Sequence, residues 1–449
     1  MGKIKVGLIG YGNVGRGFAE YFYNSGNPEL DSFSLSAIGI KDIKKERNFP
    51  STFVTTNSLD DIVRKSDIKI IIDGVGGDAE SNKCSLKYIE EALKHGKHVI
   101  TANKHNLSRN FYRLVKMAED NKVNLEYEAS VCGCIPVIQT MREYYTNDCI
   151  KKIVGIVNGT SNYILTEMHK GMSFNDALSE AKIRGYAEAD HFADISGEDS
   201  ADKIAILANI AFRMPINPEN ISIEGIDHID PDMFFYVRDN LKLRTNKYHT
   251  IKSLAIAEMK EGKLDLRVHP AYIREDHPLY GVNGVLNAIC IVGEYGNINV
   301  LKGPGAGSIP TGFAVASDLI KVGRKIQRGI IDNFLPRFNG DNKDIDQILL
   351  GNNRVTSGFI KSCSPEHKTG VLAQKSNILA NRGISIRDWF NFVERETDDL
   401  QEIIPDIFLI EASPENLIYS AVNELSKEDV CRSSRVTYLR EDSVYFKTK

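Results

Sequence analysis

The sequence is poor in cysteine and in long apolar runs. Its 449 residues include seven scattered cysteines, an odd number, so no disulfide framework is indicated and reduced thiols are expected. No apolar run approaches the ~20 residues that a membrane-spanning helix requires. The first residues, MGKIKVGLIGYG, enter a strand pattern with no charged-then-apolar leader, which favours a cytoplasmic location over secretion.

An excess of charge of either sign is also absent. The 56 Lys and Arg residues nearly balance the 60 Asp and Glu residues, and the net charge is −4. This balance gives no reason to expect a nucleic-acid partner or an acidic membrane surface. The composition, with 42% hydrophobic and 26% charged residues, is that of an ordinary globular protein and excludes a mostly disordered or fibrous chain.

The length predicts about three domains, at roughly 150 residues each. Strand and helix patterns alternate over residues 1–135, which predicts βαβ units and an α/β fold with a doubly wound parallel sheet of the Rossmann type. Residues 136–336 mix helix patterns with alternating strand patterns and predict an α+β domain for catalysis and dimerisation. A helix around 314–330 is expected to pack back against the first domain. Residues 355–449 predict a small βαββα domain.

A glycine-rich loop follows the first predicted strand and opens a helix. Its G-x-G-x-x-G pattern permits a tight turn, close approach of the backbone to a pyrophosphate, and close packing of the helix on the strand. This position indicates a dinucleotide site, although a glycine-rich turn without a ligand is the alternative. The predicted cofactor-binding residues of this loop are Gly10, Gly12, Asn13, Val14 and Gly15.

The end of the second predicted strand bears on the choice of cofactor. An acidic residue there suits the ribose hydroxyls of NAD, whereas a cation suits the phosphate of NADP. The sequence reads Lys41-Asp42 and continues with further basic residues, which favours NADP and leaves NAD open.

Charged residues after two predicted elements form the candidate catalytic set. Lys104 follows a predicted parallel strand and should face the cofactor crevice, unless it is an ordinary surface lysine. Asp199 and Lys203 share one helix face four residues apart, downstream of Glu188 and Asp194. Spacing alone favours an ordinary ion pair on a capped helix. The functional alternative is a carboxylate-lined pocket for an amino-acid ammonium, beside a lysine that moves a proton.

These motifs together resemble the homoserine dehydrogenase family. The resemblance runs in order over about 1–330, and the combination of NGTSNYIL with EAD and GEDSADK is its most specific part. The matching stretches are the glycine loop, ITANK (100–104), EASVCGCIP (128–136), GIVNGTSNYIL (155–165), GYAEAD (185–190), DISGEDSADK (194–203), HPL (277–279) and GPGAGSIPT (303–311).

The resemblance implies reversible NAD(P)H-dependent reduction of L-aspartate 4-semialdehyde to L-homoserine, on the route to threonine, methionine and isoleucine. It implies that Lys203 donates and accepts the proton and that Lys104 assists. It also implies that Glu188 and Asp199, with Asp194 beside them, bind homoserine. Further cofactor contacts implied are Gly185, Gly305 and Gly307.

The family also has a monovalent-cation site, for Na⁺ or K⁺, built largely from main-chain oxygens. By motif match it falls on Glu128, Val131, Gly133 and Ile135. The nearby Cys132-Gly133-Cys134 pattern makes a poor zinc site, because it has no second pair of ligands. Two small buried side chains are the favoured interpretation of these cysteines.

The rhythm of TGVLAQKSNILANRGISI (369–386) resembles an ACT regulatory domain, which has a ferredoxin-like fold. The resemblance implies an amino-acid effector such as L-threonine and a homodimer or homotetramer formed through the central sheet. Two alternatives remain at this point. One is another NAD(P)-dependent oxidoreductase acting on a sugar or small carbonyl, and the other is a catalytically silent nucleotide or amino-acid sensor.

Overall fold

The computed structural model describes the chain in a set of continuous segments. They are residues 2–41, 55–56, 59–187, 190–229, 231–295, 298–333, 348–349, 354–364, 370–391, 404–426 and 437–442. None of the helices within these segments is long and apolar enough to cross a membrane.

The first unit contains a sheet of parallel strands with helices between them. Its strands are β1 (Ile4–Ile9), β2 (Phe33–Gly39), β3 (Thr55–Thr56), β4 (Ile68–Asp73), β5 (His98–Thr101) and β6 (Leu125–Glu126). Its helices are α1 (Asn13–Asn24), α2 (Leu59–Arg64), α3 (Ala79–Lys94) and α4 (Lys104–Asp120).

The strand order in this sheet is β3-β2-β1-β4-β5-β6, and every pairing is parallel. The predicted doubly wound parallel sheet is therefore confirmed. The order reverses between β1 and β4, and ligands of open α/β sheets bind at such a reversal, outside the carboxyl ends of the strands. The glycine loop after β1 lies at this position.

The second unit contains helices and a mixed sheet. Its helices are α5 (Val137–Gln139), α6 (Gly159–His169), α7 (Phe174–Ile183), α8 (Phe192–Ser196), α9 (Glu198–Phe212), α10 (Pro231–Phe235), α11 (Leu241–Thr245) and α12 (Ser308–Arg328). Its strands are β7 (Ile150–Ile156), β8 (Ser222–Ile223), β9 (His249–Lys260), β10 (Lys263–Arg274), β11 (Leu286–Gly293) and β12 (Ile298–Pro304).

The central strands differ from the alternating pattern expected for a sheet with one apolar face. β9, β10 and β11 are almost completely buried on both faces within one chain. Apolar residues of α9 pack on one face, and Leu279 and Val282 belong to the apolar cluster on the other. Among the described strands of this unit, only the edge strand β12 alternates between more and less exposed positions along its whole length.

The helix expected around 314–330 is α12, and it packs on α1 of the first unit. The two helix backbones are so close that a Cβ at Gly312 would lie 2.3 Å from the carbonyl carbon of Gly17. α12 begins at Ser308, earlier than the apolar pattern indicates, because Pro310 is tolerated in a first helical turn that needs no N–H partner.

The C-terminal unit is joined edge to edge with the central sheet. Its elements are β13 (Ile348–Leu349), β14 (Val355–Ser364), α13 (Val371–Ala380), β15 (Ile386–Asn391), β16 (Ile404–Pro414), α14 (Glu415–Leu425) and β17 (Thr437–Glu441). The predicted βαββα order corresponds to β14, α13, β15, β16 and α14. β17 follows these elements in the chain and lies between β14 and β10 in the sheet. The sequence of β17, TYLRE, is short and partly polar and therefore gives little strand signal. Hydrogen-bonded pairing with β10 and β14 makes this segment a strand.

Candidate active site

The glycine loop has the geometry that a pyrophosphate site requires. Gly10 has φ +90°, and a Cβ at Gly15 would lie 2.1 Å from the carbonyl oxygen of Gly10. A Cβ at Gly12 would meet nothing within 4 Å, so the surface above it is open. Within the part of the chain that the structure describes, no side chain caps the first turn of α1, which leaves its N–H groups for an anion.

The loop before α12 adjoins the glycine loop. The Ser308 hydroxyl donates to the main-chain oxygen of Asn13 over 2.7 Å. Gly307, with φ +122°, precedes this serine, so the predicted contacts at Gly307 and at the glycine loop share one region. Lys41 lies at the end of β2, where its exposed ammonium is 3.5 Å from Glu80. Asp42 lies outside the described residues.

A buried polar network places Lys104 at the mouth of the crevice. Asp73, at the end of β4, accepts hydrogen bonds from Ser85 (2.9 Å) and Thr101 (2.8 Å). The Thr101 hydroxyl in turn accepts the N–H of Asn103, whose side chain caps α4 at Asn106. Burial raises the pKa of the Asp73 carboxyl to about 6. The network fixes the first turn of α4 and therefore the origin of the Lys104 side chain.

Lys104 and Lys203 converge on a single carboxylate. The Lys104 ammonium pairs with Oδ1 of Asp199, and the Lys203 ammonium donates to Oδ2 of Asp199 over 2.6 Å. Lys203 also donates to the main-chain oxygen of Val157 over 2.7 Å. Burial alone would raise the pKa of Asp199, but the charges of both lysines outweigh it and hold this pKa well below its usual range. Asp199 in turn raises the pKa of Lys104.

Asn158 connects the two acidic positions of the site. Its amide nitrogen donates to Asp194 over 2.7 Å and to Asp199 over 2.8 Å, while its amide oxygen caps α6 at Ser161. Sequence reasoning did not single out Asn158. The available signal was an Asn at the end of a strand and directly before a helix, the usual place for an N-cap.

Two further predicted site residues are Glu188 and Gly185. Glu188 is outside the described residues. Gly185 has φ +72° in the turn after α7, and a Cβ there would meet nothing within 4 Å. The next residue, Tyr186, accepts a hydrogen bond of 2.7 Å from the Thr160 hydroxyl at its main-chain oxygen, so this turn borders the start of α6.

The turn that carries the predicted cation ligands is buried beside the Gly305 loop. A Cβ at Gly133 would lie 3.0 Å from the main-chain oxygen of Gly305, and one at Gly305 would overlap the side chain of Asn287. Both carboxylate oxygens of Glu128 accept N–H groups at 2.8 Å, from Ile138 and Gln139. Burial raises the pKa of Glu128 to about 7. Among the described residues, no group of three or more His, Cys, Asp and Glu side chains could hold a metal.

The two cysteines of the CxC pattern have different surroundings. Cys132 is buried with φ +57°, and burial raises the pKa of its thiol. The amide of Asn287 donates to its sulfur over 3.4 Å. The Cys134 sulfur is 3.7 Å from the main-chain oxygen of Pro304. The inert interpretation fits Cys132, because a reactive thiol needs a lowered pKa.

Comparison with known proteins gives the cluster its context. The homoserine dehydrogenase family model matches residues 136–320, and the model of the homoserine dehydrogenase NAD-binding domain matches residues 10–128. The Bacillus subtilis homoserine dehydrogenase is 32% identical over 414 residues, which are 90% of this chain and 91% of that protein. The chain belongs to the homoserine dehydrogenase family.

Solved structures agree with this assignment. The crystal structure of a homoserine dehydrogenase from Thiobacillus denitrificans superposes with a TM-score of 0.83 at 30% identity, covering 98% of each chain. A hyperthermophilic archaeal homoserine dehydrogenase, solved in complex with NADPH, has a TM-score of 0.59 at 26% identity and covers 72% of this chain and 98% of its own.

Homoserine dehydrogenases are NAD(P)-dependent oxidoreductases, and the predicted activity is confirmed. The chain interconverts L-homoserine and L-aspartate 4-semialdehyde with a nicotinamide cofactor. This assignment removes the alternatives of a sugar oxidoreductase and of a silent sensor.

Proposed function

We propose that Lys203 moves the proton in homoserine oxidation and that Lys104 holds the substrate against the cofactor. The convergence of both ammonium groups on Asp199, at the crevice beside the glycine loop, carries this proposal. A lysine ammonium has three N–H bonds. Two from Lys203 are directed at Asp199 and Val157 among the described residues, so the third can reach a substrate oxygen.

The bond changes balance with these roles. In homoserine oxidation the hydroxyl proton passes to the amine form of Lys203, and the hydride leaves the carbon that bears this hydroxyl. The nicotinamide supplies the hydride acceptor. In the reduction of the aldehyde, the Lys203 ammonium stabilises the negative charge that develops on oxygen and returns the proton to it. Asp199 keeps both lysines in place, and its own carboxylate stays ionised.

The ammonium group of homoserine requires carboxylates. Asp194, half buried and oriented by Asn158, is the described carboxylate best placed to receive it. Glu188 completes this subsite in the proposal, as the family resemblance implies. Asp199 contributes through its charge, because both of its oxygens already bind lysines.

The residues around the glycine loop fit a dinucleotide, since the open surface at Gly12 and the uncapped start of α1 suit a pyrophosphate. We favour NADP over NAD. Lys41 at the end of β2 supplies a cation where the 2′-phosphate would lie, and the archaeal neighbour was solved with NADPH.

A monovalent cation at the turn after β6 is part of the proposal. Because the Glu128 carboxylate is occupied by two N–H groups, the main-chain oxygens of Glu128, Val131, Gly133 and Ile135 would bind the ion. Hard cations accept carbonyl ligands of this kind.

The C-terminal unit is proposed to be an ACT-like regulatory domain. The βαββαβ order from β14 to β17 and the strand order β15-β16-β14-β17 support this proposal. We also propose a homodimer formed through the central sheet. The supporting observation is that two apolar residues of the edge strand β12, Ile298 and Val300, are exposed.

The test is an assay of NADP⁺ and NAD⁺ reduction with L-homoserine, run with and without L-threonine and with Na⁺, K⁺ or a bulky organic cation. We expect a higher kcat/KM with NADP⁺ and inhibition by threonine. A calorimetric titration in which none of L-threonine, L-methionine and L-isoleucine binds would remove the effector proposal and leave the catalytic one intact.

A further inference from the structure

A buried ion-pair cluster links the C-terminal unit to the second unit. The second unit carries Asp199 and Lys203 and is called the catalytic unit from here on. Arg440 on β17 pairs through Nη1 with Glu224, and its Nε donates to Glu415 of α14 over 2.6 Å. The Tyr419 hydroxyl accepts from Nη2 of the same guanidinium. His228 lies 3.1 Å from the other oxygen of Glu224. Glu224 belongs to the catalytic unit, so its carboxylate is shared between the two units.

The segment that carries Glu224 is fixed to the centre of the sheet. β8 pairs with β10 in parallel, and the N–H of Glu224 donates to the main-chain oxygen of Val268 over 2.8 Å. Arg440 pairs with Ala271 on the same strand β10. The guanidinium and the carboxylate therefore meet over one rigid strand, which leaves little freedom in their relative position.

The same segment supports the turn between Asp194 and Asp199. The N–H of Ile226 donates to the main-chain oxygen of Ile195 over 2.9 Å. A Cβ at Gly225 would lie 2.7 Å from that oxygen. Gly197, with φ +93°, connects α8 to α9, and a Cβ there would lie 3.0 Å from Cγ2 of Ile223. Any shift of this segment would therefore shift the turn.

We propose that Arg440 is a positioning residue for the reaction, because through Glu224 it holds the Ile195–Gly197 turn and so the spacing of Asp194 and Asp199. The inference rests on the proposed roles of these two carboxylates. It makes the C-terminal unit part of the support of the substrate site, independently of any effector. Removing the contact loosens the site for the amino-acid end of homoserine and leaves the dinucleotide crevice unchanged.

The test compares steady-state kinetics of three variants in the full-length chain. In Glu224→Gln and Arg440→Met, we expect KM for homoserine to rise about tenfold, the size expected for a contact that acts through an intervening segment. KM for the nicotinamide cofactor should stay within about twofold, because the glycine loop is not touched. Arg440→Lys should raise KM for homoserine less than Arg440→Met does, since lysine keeps the positive charge but lacks the planar guanidinium.

Lys361→Met is the matched control. Lys361 on β14 is as buried as Arg440, and its ammonium is 3.0 Å from Asp232 of α10 in the catalytic unit. In the contacts between described residues, Lys361 crosses between the same two units and does not contact the segment that supports Ile195. We expect a lower unfolding temperature with an unchanged KM for homoserine.

Two results would overturn the inference. One is a folded Glu224→Gln enzyme with the wild-type KM for homoserine. The other is an equal rise of KM in Lys361→Met, which would indicate a general loss of stability. Failure of the proposed function would look different, because Asp199→Asn would then leave turnover and KM for homoserine unchanged.

Discussion

Two buried lysines in the catalytic unit have opposite surroundings. Lys203 on α9 faces the Asp199 carboxylate at 2.6 Å, in a cleft that also holds Lys104. Lys252 on β9 is 1% exposed, and its ammonium contacts neutral acceptors: Val282 O at 2.6 Å, Asn283 Oδ1 at 2.9 Å and Asn162 Oδ1 at 3.2 Å.

The difference shows what a paired carboxylate does for a buried cation. Burial lowers the pKa of Lys252 to about 7, and the positive charge of Lys302 acts in the same direction. Lys203 is buried to a similar degree, but it lies beside the ionised carboxylate of Asp199. This negative charge stabilises the positive charge that Lys203 gains when it accepts a proton and loses when it donates one. Lys252 therefore joins β9, α6 and the Val282–Asn283 segment, whereas Lys203 has the surroundings that its proposed role in proton transfer requires.

The strongest test of this comparison is substitution of Lys203. We expect Lys203→Ala to lower kcat by about 100-fold or more, because the proton loses its acceptor. Binding of the cofactor, followed by fluorescence of the reduced nicotinamide, should be unchanged because the glycine loop is intact. Near-normal turnover would show that Lys203 does not move the proton.

A second substitution, at Asp199, makes the surroundings of Lys104 and Lys203 more like those of Lys252. Asp199→Asn keeps the shape of the side chain and removes the shared negative charge. We expect kcat to fall by about tenfold or more, less than in Lys203→Ala, because the lysines remain but lose their common partner. The pKa of Lys104 should fall, since Asp199 is the main cause of its rise. An unchanged pH–rate profile would argue against this coupling.

Lys252→Met should have a small effect on chemistry. We expect kcat within about threefold of wild type, because Lys252 contacts neither Asp199 nor Lys203 in any hydrogen bond of the described structure. KM for homoserine should rise slightly, since Asn162 lies on α6, whose first turn is capped by Asn158. A loss of kcat as large as in Lys203→Ala would break the comparison.

The smallest expected effect is a pH dependence of stability. The folded pKa of Lys252 is about 7, below the ordinary value of 10.5. Between these values the unfolded chain binds a proton that the folded chain does not, so Lys252 makes stability rise with pH in this window. Below pH ~7 both states are protonated and the slope from this group disappears. Unfolding in urea at pH 6, 8 and 9 should show a shallower rise in Lys252→Met than in wild type.

Much of the fold could be predicted from local patterns. The local patterns predict strands over Ile68–Asp73 and His98–Thr101 and a helix over Glu415–Leu425, and β4, β5 and α14 begin and end at these residues. α4 begins at Lys104, earlier than its apolar pattern, because the Asn103 cap is a polar signal that periodicity does not report. The double burial of the central strands could not be predicted, since the covering segments come from distant parts of the chain.

The candidate site could be predicted in its charged residues and not in its geometry. Lys104, Asp199 and Lys203 are recognisable because they follow a strand end or share a helix face. That both lysines bind one carboxylate depends on α4 and α9 packing together, 95 positions apart in the chain. Asn158 and Asp73 resemble ordinary capping and strand-end residues until their partners are known.

The sequence by itself determined the parallel sheet, the dinucleotide loop and the set of charged residue types, because these depend on periodicity, glycine placement and spacing within one element. The four-residue spacing on α9 already predicted that Lys203 pairs with Asp199. Only the tertiary structure decided that Lys104 shares this carboxylate and that Lys252 receives neutral acceptors. It also decided that Arg440, on the last described strand, forms an ion pair with Glu224, whose segment contacts the Ile195–Gly197 turn. Such pairings are set by long-range packing, and the energy of a buried charge depends on every group that packing brings within a few ångströms.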